Sequence, residues 1–553
     1  MKKQRILFFL FLLVLILPNV ILSFTETMNI FGRIALVLLP LAIYGFILTL
    51  RRKPGIILWW LFPVLFLGAF QLVLTYLFGE GPIAVDMWLN LLTTNSGEVG
   101  ELLSQLMPSI IGVIVVYIPT LIFATWSAGV KDKLSLDFIQ IWRRIFSIYL
   151  LPLALLVTGV ASFGKNYKIQ DDIFPLNACY NCILAFDRNT KTLSYSEKSR
   201  NFKFHAKSTH TDTVPEVIIC VVGETSRAMN WSLYGYGRET NPMLKKEPNL
   251  VIFRDVMSQS NTTHKSVPIL LSPASAEDYE MLYSSKGILA AYREAGYYTC
   301  FYSNQRPNKS FIDFLGQQAN ETVFVKEHIP SEPNDDILLP QLDSILKKGH
   351  KRLFIVLHTY GSHFNYYDRY PHDAACFLPD SIPSAEKKYR KELINAYDNS
   401  IRYTDSFLSR LIAKLKRTNS SASMLYIPDH GEDIFDDKRN LFLHASPIPS
   451  YYQLHVPLLI WTSDIYGSLY PDVLKNLHKN KIKASGSDCV FHTLLGLGGI
   501  KTTYLKDSLA LTSDSFYPKV RHYLNDHNEP VELKDCLNDQ DMKQIKLNKL
   551  RDE

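Results

Sequence analysis

The first 163 residues hold five mostly apolar runs, each close to the roughly 20 residues needed to cross the hydrocarbon core of a bilayer. They lie at Ile6–Phe24, Ile30–Leu50, Gly55–Phe78, Pro108–Ala128 and Ile145–Phe163. A chain with this pattern does not fold as a single water-soluble domain, and residues 1–163 read as a transmembrane domain of five helices. The first run lacks a small-x-small cleavage site and four further runs follow it, so it reads as an uncleaved anchor rather than a signal peptide. Basic residues set the orientation. Lys2, Lys3 and Arg5 flank the first span, Arg51, Arg52 and Lys53 fill the second loop, and Lys131, Lys133, Arg143 and Arg144 fill the fourth. The loops Thr25–Asn29 and Gly79–Met107 contain no Lys or Arg. The positive-inside rule then puts the amino terminus in the cytoplasm and everything after the fifth span outside it. Within the third loop, Val85–Leu106 carries apolar residues at helical spacing, with Asp86, Glu98 and Glu101 among them. A helix lying on the membrane surface and a plain packing helix both fit that pattern.

Composition changes after residue 163. At 553 residues the chain is too long for one ordinary domain, and its net charge of +6 comes from scattered Lys and Arg, which gives nucleic-acid binding no support. Residues 164–215 are polar and read as a linker. They contain Cys179 and Cys182, a Cys-x-x-Cys. An oxidising compartment favours a disulfide between them; a zinc half-site would need a second such pair, and a redox motif a βαβ context. The chain has seven cysteines, an odd number, and Cys220 and Cys300 sit in apolar runs as small core residues.

From Val217 onward, short apolar runs alternate with helical patterns. Strands are expected at Val217–Val222, Tyr297–Tyr302, Arg352–Leu357, Ser423–Ile427 and Val456–Trp461. Helices are expected at Ser284–Glu294, Asp336–Lys348, Ala385–Lys416 and Asp488–Leu497. This alternation predicts an α/β domain over residues 216–553, with a parallel sheet flanked by helices.

Polar clusters follow the strands. Glu224 comes after the first, Asn304, Gln305 and Lys309 after the second, His358 and His363 at and after the third, and Asp429-His430-Gly431-Glu432 after the fourth, with His444 further on. Open α/β sheets gather ligands just beyond the carboxyl ends of their strands. A carboxylate there also suits the first turn of a helix, and a lone histidine is commonly a core or surface residue, so each residue alone leaves both readings open. Together, Asp, Glu and His are ligand types that Zn²⁺ accepts. A nucleophile is sought in Ser258–Ser272, where Thr262 and Thr263 precede a helical segment expected to begin near Pro268. A metal-bound hydroxyl loses its proton more easily; equally, Asn261-Thr262-Thr263 could simply cap the helix, and spacing does not choose between these.

The stretches GETSRAMNWSLYGYGRETNP, SNTTHKSVP, LHTYGSH, NAYDNSIRYTD and PDHGED together resemble the bacterial phosphoethanolamine transferases of the alkaline phosphatase/sulfatase superfamily. That family includes the lipid A-modifying enzymes behind colistin resistance. The resemblance spans nearly the whole chain and implies an alkaline phosphatase-like catalytic domain in the periplasm, tethered to the bacterial inner membrane. It implies a Zn²⁺ site of Glu224, Thr263, Asp429 and His430, with Thr263, three residues before Ser266-Val267-Pro268, as nucleophile. His363 and His444 match histidines that hold phosphoethanolamine or a second zinc, and Asn304 and Lys309 match substrate-contacting residues. The chain departs from the lipid A enzymes where they read Ser-Cys-Gly-Thr, since Ser258-Gln259-Ser260-Asn261 has no cysteine. Its LYGY and SNTT look closer to members that act on core sugars or other glycans. The implied reaction moves phosphoethanolamine from phosphatidylethanolamine to a lipopolysaccharide or other glycan acceptor through a covalent threonine. Its alternatives are a membrane-anchored phosphoglycerol transferase, or a sulfatase- or phosphatase-type hydrolase, though Cys/Ser-x-Pro-x-Arg is not apparent.

Overall fold

The computed structural model describes residues 2–26, 28–78, 81–93, 107–164, 167–211, 213–329 and 334–550. The chain divides into two compact units, Met1–Arg188 and Asn189–Glu553.

The first unit is helical: α1 (Lys2–Thr25), α2 (Ile30–Leu48), α3 (Pro54–Trp60), α4 (Phe62–Phe78), α5 (Val85–Thr93), α6 (Met107–Gly129) and α7 (Leu136–Ala161), followed by α8 (Leu176–Leu193), which runs on past the boundary. Four of these helices are long and apolar enough to cross a membrane, and α3 with α4, bent by 68° at their junction, make a fifth candidate. Large apolar side chains such as Val115, Ile122 and Leu156 stay exposed around them, as expected of helices whose solvent is lipid. Several polar groups inside are paired. Gln4 accepts from Ser127 Oγ at 2.7 Å, Asn19 exchanges two hydrogen bonds with the Phe174 backbone, and Arg188 meets Asp86 at 3.4 Å. Of the helix expected at Val85–Leu106, the part to Thr93 forms α5; the remainder, with Glu98 and Glu101, lies outside the described residues.

Cys179 and Cys182 correct an expectation. Both lie on α8 as free thiols, one exposed and one half-buried. Positions three apart on a helix hold their Cβ atoms about 5–6 Å apart, beyond the roughly 3.8 Å that a disulfide spans.

The second unit is built on a seven-stranded sheet. Its strands are β1 (Glu216–Gly223), β2 (Leu250–Phe253), β3 (Tyr298–Ser303), β4 (Glu321–Phe324), β5 (Arg352–His358), β6 (Ser421–Pro428) and β7 (Leu458–Thr462), in the spatial order β2-β7-β6-β1-β5-β3-β4. Strand β1 is buried throughout. Its side chains alternate between two cores: Ile218, Cys220 and Val222 face one, and Val217, Ile219 and Val221 the other. Burial on both faces is why its sequence shows no polar alternation, and each such side chain stabilises the fold by about 1.5–3 kcal/mol. The first core is closed by α9 (Thr263–Leu271), α10 (Ile288–Glu294) and α13 (Cys489–Leu497), the second by α11 (Leu338–Lys347) and α12 (Arg390–Lys416).

The sheet is mixed rather than wholly parallel. Strand β7, expected as one more parallel strand, runs antiparallel to both β6 and β2. The chain between β6 and β7 stays at the end where β6 finishes, so the next strand enters from that end and runs back. Strands β2 and β4, four residues each, were not legible as separate apolar runs.

Candidate active site

Register brings the polar clusters together. Gly223 of β1 pairs with Pro428 of β6, and Val222 with His358 of β5, so these parallel strands end side by side. Glu224 and Asp429 are therefore neighbours, one residue beyond adjacent strand ends. Thr225 takes the left-handed conformation (φ 54°), which lets its N–H donate to Asp429 Oδ1 at 3.0 Å while its hydroxyl donates to Glu224 Oε1 at 2.8 Å. Such strain in a threonine persists only where the surroundings enforce it. The Tyr397 hydroxyl does so by donating to the Thr225 carbonyl at 2.8 Å and accepting from the Arg227 N–H at 2.9 Å. Two glycines permit the crowding. A Cβ on Gly361 would lie 2.6 Å from the Glu224 carbonyl, and one on Gly431 would lie 2.1 Å from the Tyr452 carbonyl.

Thr263 is the first residue of α9, not a residue ahead of a helix starting at Pro268. Pro268 sits inside the helix, where its missing N–H releases the His264 carbonyl; taking proline as a helix start misjudged this boundary. The Thr263 hydroxyl lies 3.1 Å from both Glu224 Oε1 and His430 Nε2. Thr262 is the N-cap by backbone only, and its hydroxyl meets Ser260 Oγ at 3.2 Å instead.

Glu224, Asp429 and His430 are buried, with one ligand-type atom of each lying within 4.8 Å of the others. Burial and the facing Asp429 charge raise the Glu224 pKa, and burial raises that of Asp429. Burial, then the neighbouring His444, hold His430 neutral. His430 Nδ1 meets the Gly431 carbonyl at 2.9 Å and must carry the proton. Its Nε2 lone pair therefore faces Asp429 Oδ2 at 3.2 Å and Glu224 Oε1 at 3.8 Å. Asp429 Oδ2 is buried, and no described donor reaches it in hydrogen-bond geometry. Lone pairs converging on one buried point repel one another unless a cation sits among them, so these residues suit a metal ion.

The other expected residues divide. His444 packs its ring 4.2 Å from that of His430, and the ring of His363 lies 6.2 Å from that of His444. Glu432 accepts from His444 Nδ1 at 3.1 Å and from the Tyr366 hydroxyl at 2.7 Å. Burial pulls the His444 pKa down, but the Glu432 hydrogen bond and charge carry it above its ordinary value. Burial, with Arg369 and His444 nearby, depresses His363 to about 3. Asn304 turns its amide to Asp335 Oδ1 at 2.8 Å, and Lys309 is exposed. It is Gln305 that reaches the centre, donating to Glu224 Oε2 at 2.9 Å. The periodicity of β3 could have shown this, since Gln305 stands two residues past its end.

Much of the two longest shared stretches is structural. Asp398 on α12 accepts from Asn230, Tyr236 and Arg238, and Asp405 accepts the backbone N–H groups of Met243 and Leu244. NAYDNSIRYTD thus holds the loop after Glu224 in shape.

Comparison with known proteins places this geometry in context. The sulfatase family model matches residues 216–500. Phosphoethanolamine transferase EptA of Escherichia coli is 34% identical over 296 residues, covering 52% of this chain and 54% of that protein. The chain thus spans about half the length of that relative. Phosphatidylethanolamine transferase Mcr-1 of Escherichia coli is 29% identical over 472 residues, covering 79% of this chain and 82% of that one. The solved structure of the integral membrane lipooligosaccharide phosphoethanolamine transferase A from Neisseria meningitidis shares the fold, with a TM-score of 0.71 at 22% identity, over 91% of this chain and 97% of that one. The sulfatase match takes in just over half of the 553 residues, including the strand ends that carry Glu224, Asp429 and His430 and the helix start at Thr263, and the chain belongs to the sulfatase family.

Proposed function

We propose that this protein transfers phosphoethanolamine from phosphatidylethanolamine to a lipid A, lipopolysaccharide-core or other envelope glycan acceptor, through a covalent intermediate on Thr263. The observation that carries this reading is the hydroxyl of Thr263, 3.1 Å from both Glu224 and His430 at the point where the buried ligand atoms converge. The membrane-embedded helices fit a lipid donor. On this reading residues 1–163 form the inner-membrane domain, 164–215 the linker and 216–553 the periplasmic catalytic domain.

Glu224, Thr263, Asp429 and His430 would hold zinc. A tetrahedral site with bonds of about 2.0–2.1 Å has ligand–ligand edges of about 3.3 Å. Four of the six edges here run 3.1, 3.1, 3.2 and 3.8 Å. Bound zinc would supply Lewis-acid stabilisation of the threonine oxygen and of the phosphoryl charge. In the first half-reaction Thr263 Oγ1, its proton released to solvent, forms a bond to phosphorus as the bond from phosphorus to the diacylglycerol oxygen breaks. His444, whose pKa Glu432 raises and whose Nδ1 is engaged there, would donate a proton from Nε2 to the departing oxygen. In the second, His444 takes the proton of the acceptor hydroxyl, the acceptor oxygen attacks the phosphothreonine and Oγ1 leaves in its deprotonated form. His363, held neutral, would lie beside the transferring group, and Lys309 is assigned to substrate contact with it; Asn304, buried with its amide on Asp335, would support the site from behind. Gln305 fixes Glu224 from the side away from Thr263.

Mass spectrometry of envelope lipids from cells with and without the protein tests this. A mass increase of one phosphoethanolamine on a glycolipid is expected; an unchanged lipid profile, with free phosphoethanolamine released instead, would replace transfer by hydrolysis.

A further inference from the structure

Three of the stretches that build the site are the loop before Thr263, the loop carrying Asp429 and His430, and a short hairpin that pairs Asp433–Ile434 with Phe442–Leu443 and ends on His444. We infer that the side-chain amides of Asn261 and Gln453 join these stretches into one unit, setting the position of Thr263 relative to His444 and so the rate of transfer. The inference rests on the transfer reading above and adds positioning residues to it.

Both amides are buried, and nothing in the sequence motifs marked Gln453. Asn261 Nδ2 donates to Gln453 Oε1 at 2.6 Å and to the Ser446 carbonyl at 2.8 Å, and the Asn261 carbonyl accepts from the Ala445 N–H at 3.1 Å. One residue, two before the nucleophile, is thus tied to both residues that follow His444. Gln453 completes the circuit. Its Nε2 donates to Asp433 Oδ2 at 2.6 Å and to the Leu443 carbonyl at 3.3 Å, and its backbone carbonyl accepts from the Gly431 N–H at 2.7 Å. Gln453 therefore holds Asp433 and the residue just before His444 by the side chain that also holds Asn261, and the residue just after His430 by its backbone.

The two amides use both of their N–H groups. Asn261 Oδ1 accepts from the Tyr523 hydroxyl at 2.8 Å, and Gln453 Oε1 accepts a second bond from Ser446 Oγ at 3.0 Å. Flipping Asn261 would set its oxygen against Gln453 Oε1 and the Ser446 carbonyl, and flipping Gln453 would set its oxygen against Asp433 Oδ2, so their orientation is fixed. The hairpin needs such a hold. Leu443 (φ 67°) and Ala445 (φ 62°), on either side of His444, are both left-handed. Non-glycine residues keep that conformation only where neighbours enforce it, and the hydrogen bonds to the Leu443 carbonyl and the Ala445 N–H do so here.

Single-turnover cleavage of fluorescent phosphatidylethanolamine, normalised to folded and zinc-loaded enzyme in detergent, measures the effect. Asn261→Ala and Gln453→Ala should each slow adduct formation about 10- to 100-fold, since a misplacement near 1 Å costs up to that much. Donor KM and zinc content should stay within twofold of wild type. The double variant should be no slower than the slower single one, because both remove the same link. Should either alanine variant fail to fold, Asn261→Asp keeps the size and the Tyr523 contact while setting an oxygen against Gln453 Oε1, and should slow the step more than 10-fold. Wild-type rates in the folded single variants, or losses that multiply in the double variant, would overturn the inference. A wild-type enzyme that forms no adduct would instead overturn the transfer reading, and the claim about rate with it.

Discussion

Strand β1 carries a buried carboxylate at each end, and the two are treated in opposite ways. At its start, Glu216 is satisfied: His210 Nδ1 lies 2.7 Å from one oxygen and the Tyr297 hydroxyl donates to the other. Just past its end, Glu224 faces the Asp429 carboxylate and the lone pair of a neutral histidine. Both residues are about equally buried, at 2% and 1% exposed, so burial does not separate them. Each has a donor on both oxygens, Glu224 from the Thr225 and Thr263 hydroxyls on one and Gln305 on the other, so what differs is the added repulsion at Glu224. A buried charge met by donors alone holds a fold together, whereas one that also faces a second carboxylate and a lone pair is less stable until a cation arrives.

The contrast is most sharply tested at the nucleophile. Thr263→Ala should lower transfer at least ~10³-fold while the protein stays folded, as expected when an attacking group is deleted. Turnover assays on purified protein check this.

Metal removal comes next. Chelation should abolish transfer reversibly, and Glu224→Gln should lose both metal and activity. In chelator, however, Glu224→Gln should melt higher than wild type, because burial and the facing Asp429 both disfavour the charge it removes. Each kcal/mol so relieved is worth about 1–2 °C in a domain of this size, at about 2.1 cal/mol/K of unfolding entropy per residue. A lower melting temperature would contradict the picture of a repulsive site.

At the other end of the strand the signs reverse. Glu216→Gln should cost about 1–3 kcal/mol in stability, since hydrogen bonds to a charged group are lost in a buried place, yet leave turnover per folded molecule unchanged. Denaturant melts run beside activity assays read both. An activity loss there would mean that the two ends are not independent.

The smallest effect is expected from Thr262→Ala. Its hydroxyl caps nothing and meets only Ser260, so a change of a few tenths of a kcal/mol and nearly full turnover should follow.

The sequence made the long features legible and hid the short ones. Uninterrupted apolar runs gave β1, β5 and β6 to within two residues, because strands buried on both faces have no polar positions. Direction was hidden: nothing in Val456–Trp461 tells that β7 runs backwards, since pairing sense depends on where the preceding loop returns. Among site residues, Glu224, Asp429 and His430 were visible because each follows a long strand. Gln305 stood out only as one of three polar residues after a strand, and was given no role, although its amide holds Glu224. Gln453 left no trace at all. It lies on a four-residue helix far along the chain, and only tertiary packing brings it to Asn261. The cysteine pair misled because Cys-x-x-Cys was read without the helix that carries it.

The central claim is that the hydroxyl where these buried ligand atoms converge is the one that attacks phosphorus. Peptide mapping by mass spectrometry, after trapping the enzyme with phosphatidylethanolamine and no acceptor, tests it most directly. The account predicts one phosphoethanolamine on Thr263 and none on Thr262. An adduct on Thr262 or another residue, or undiminished turnover in Thr263→Ala, would contradict it.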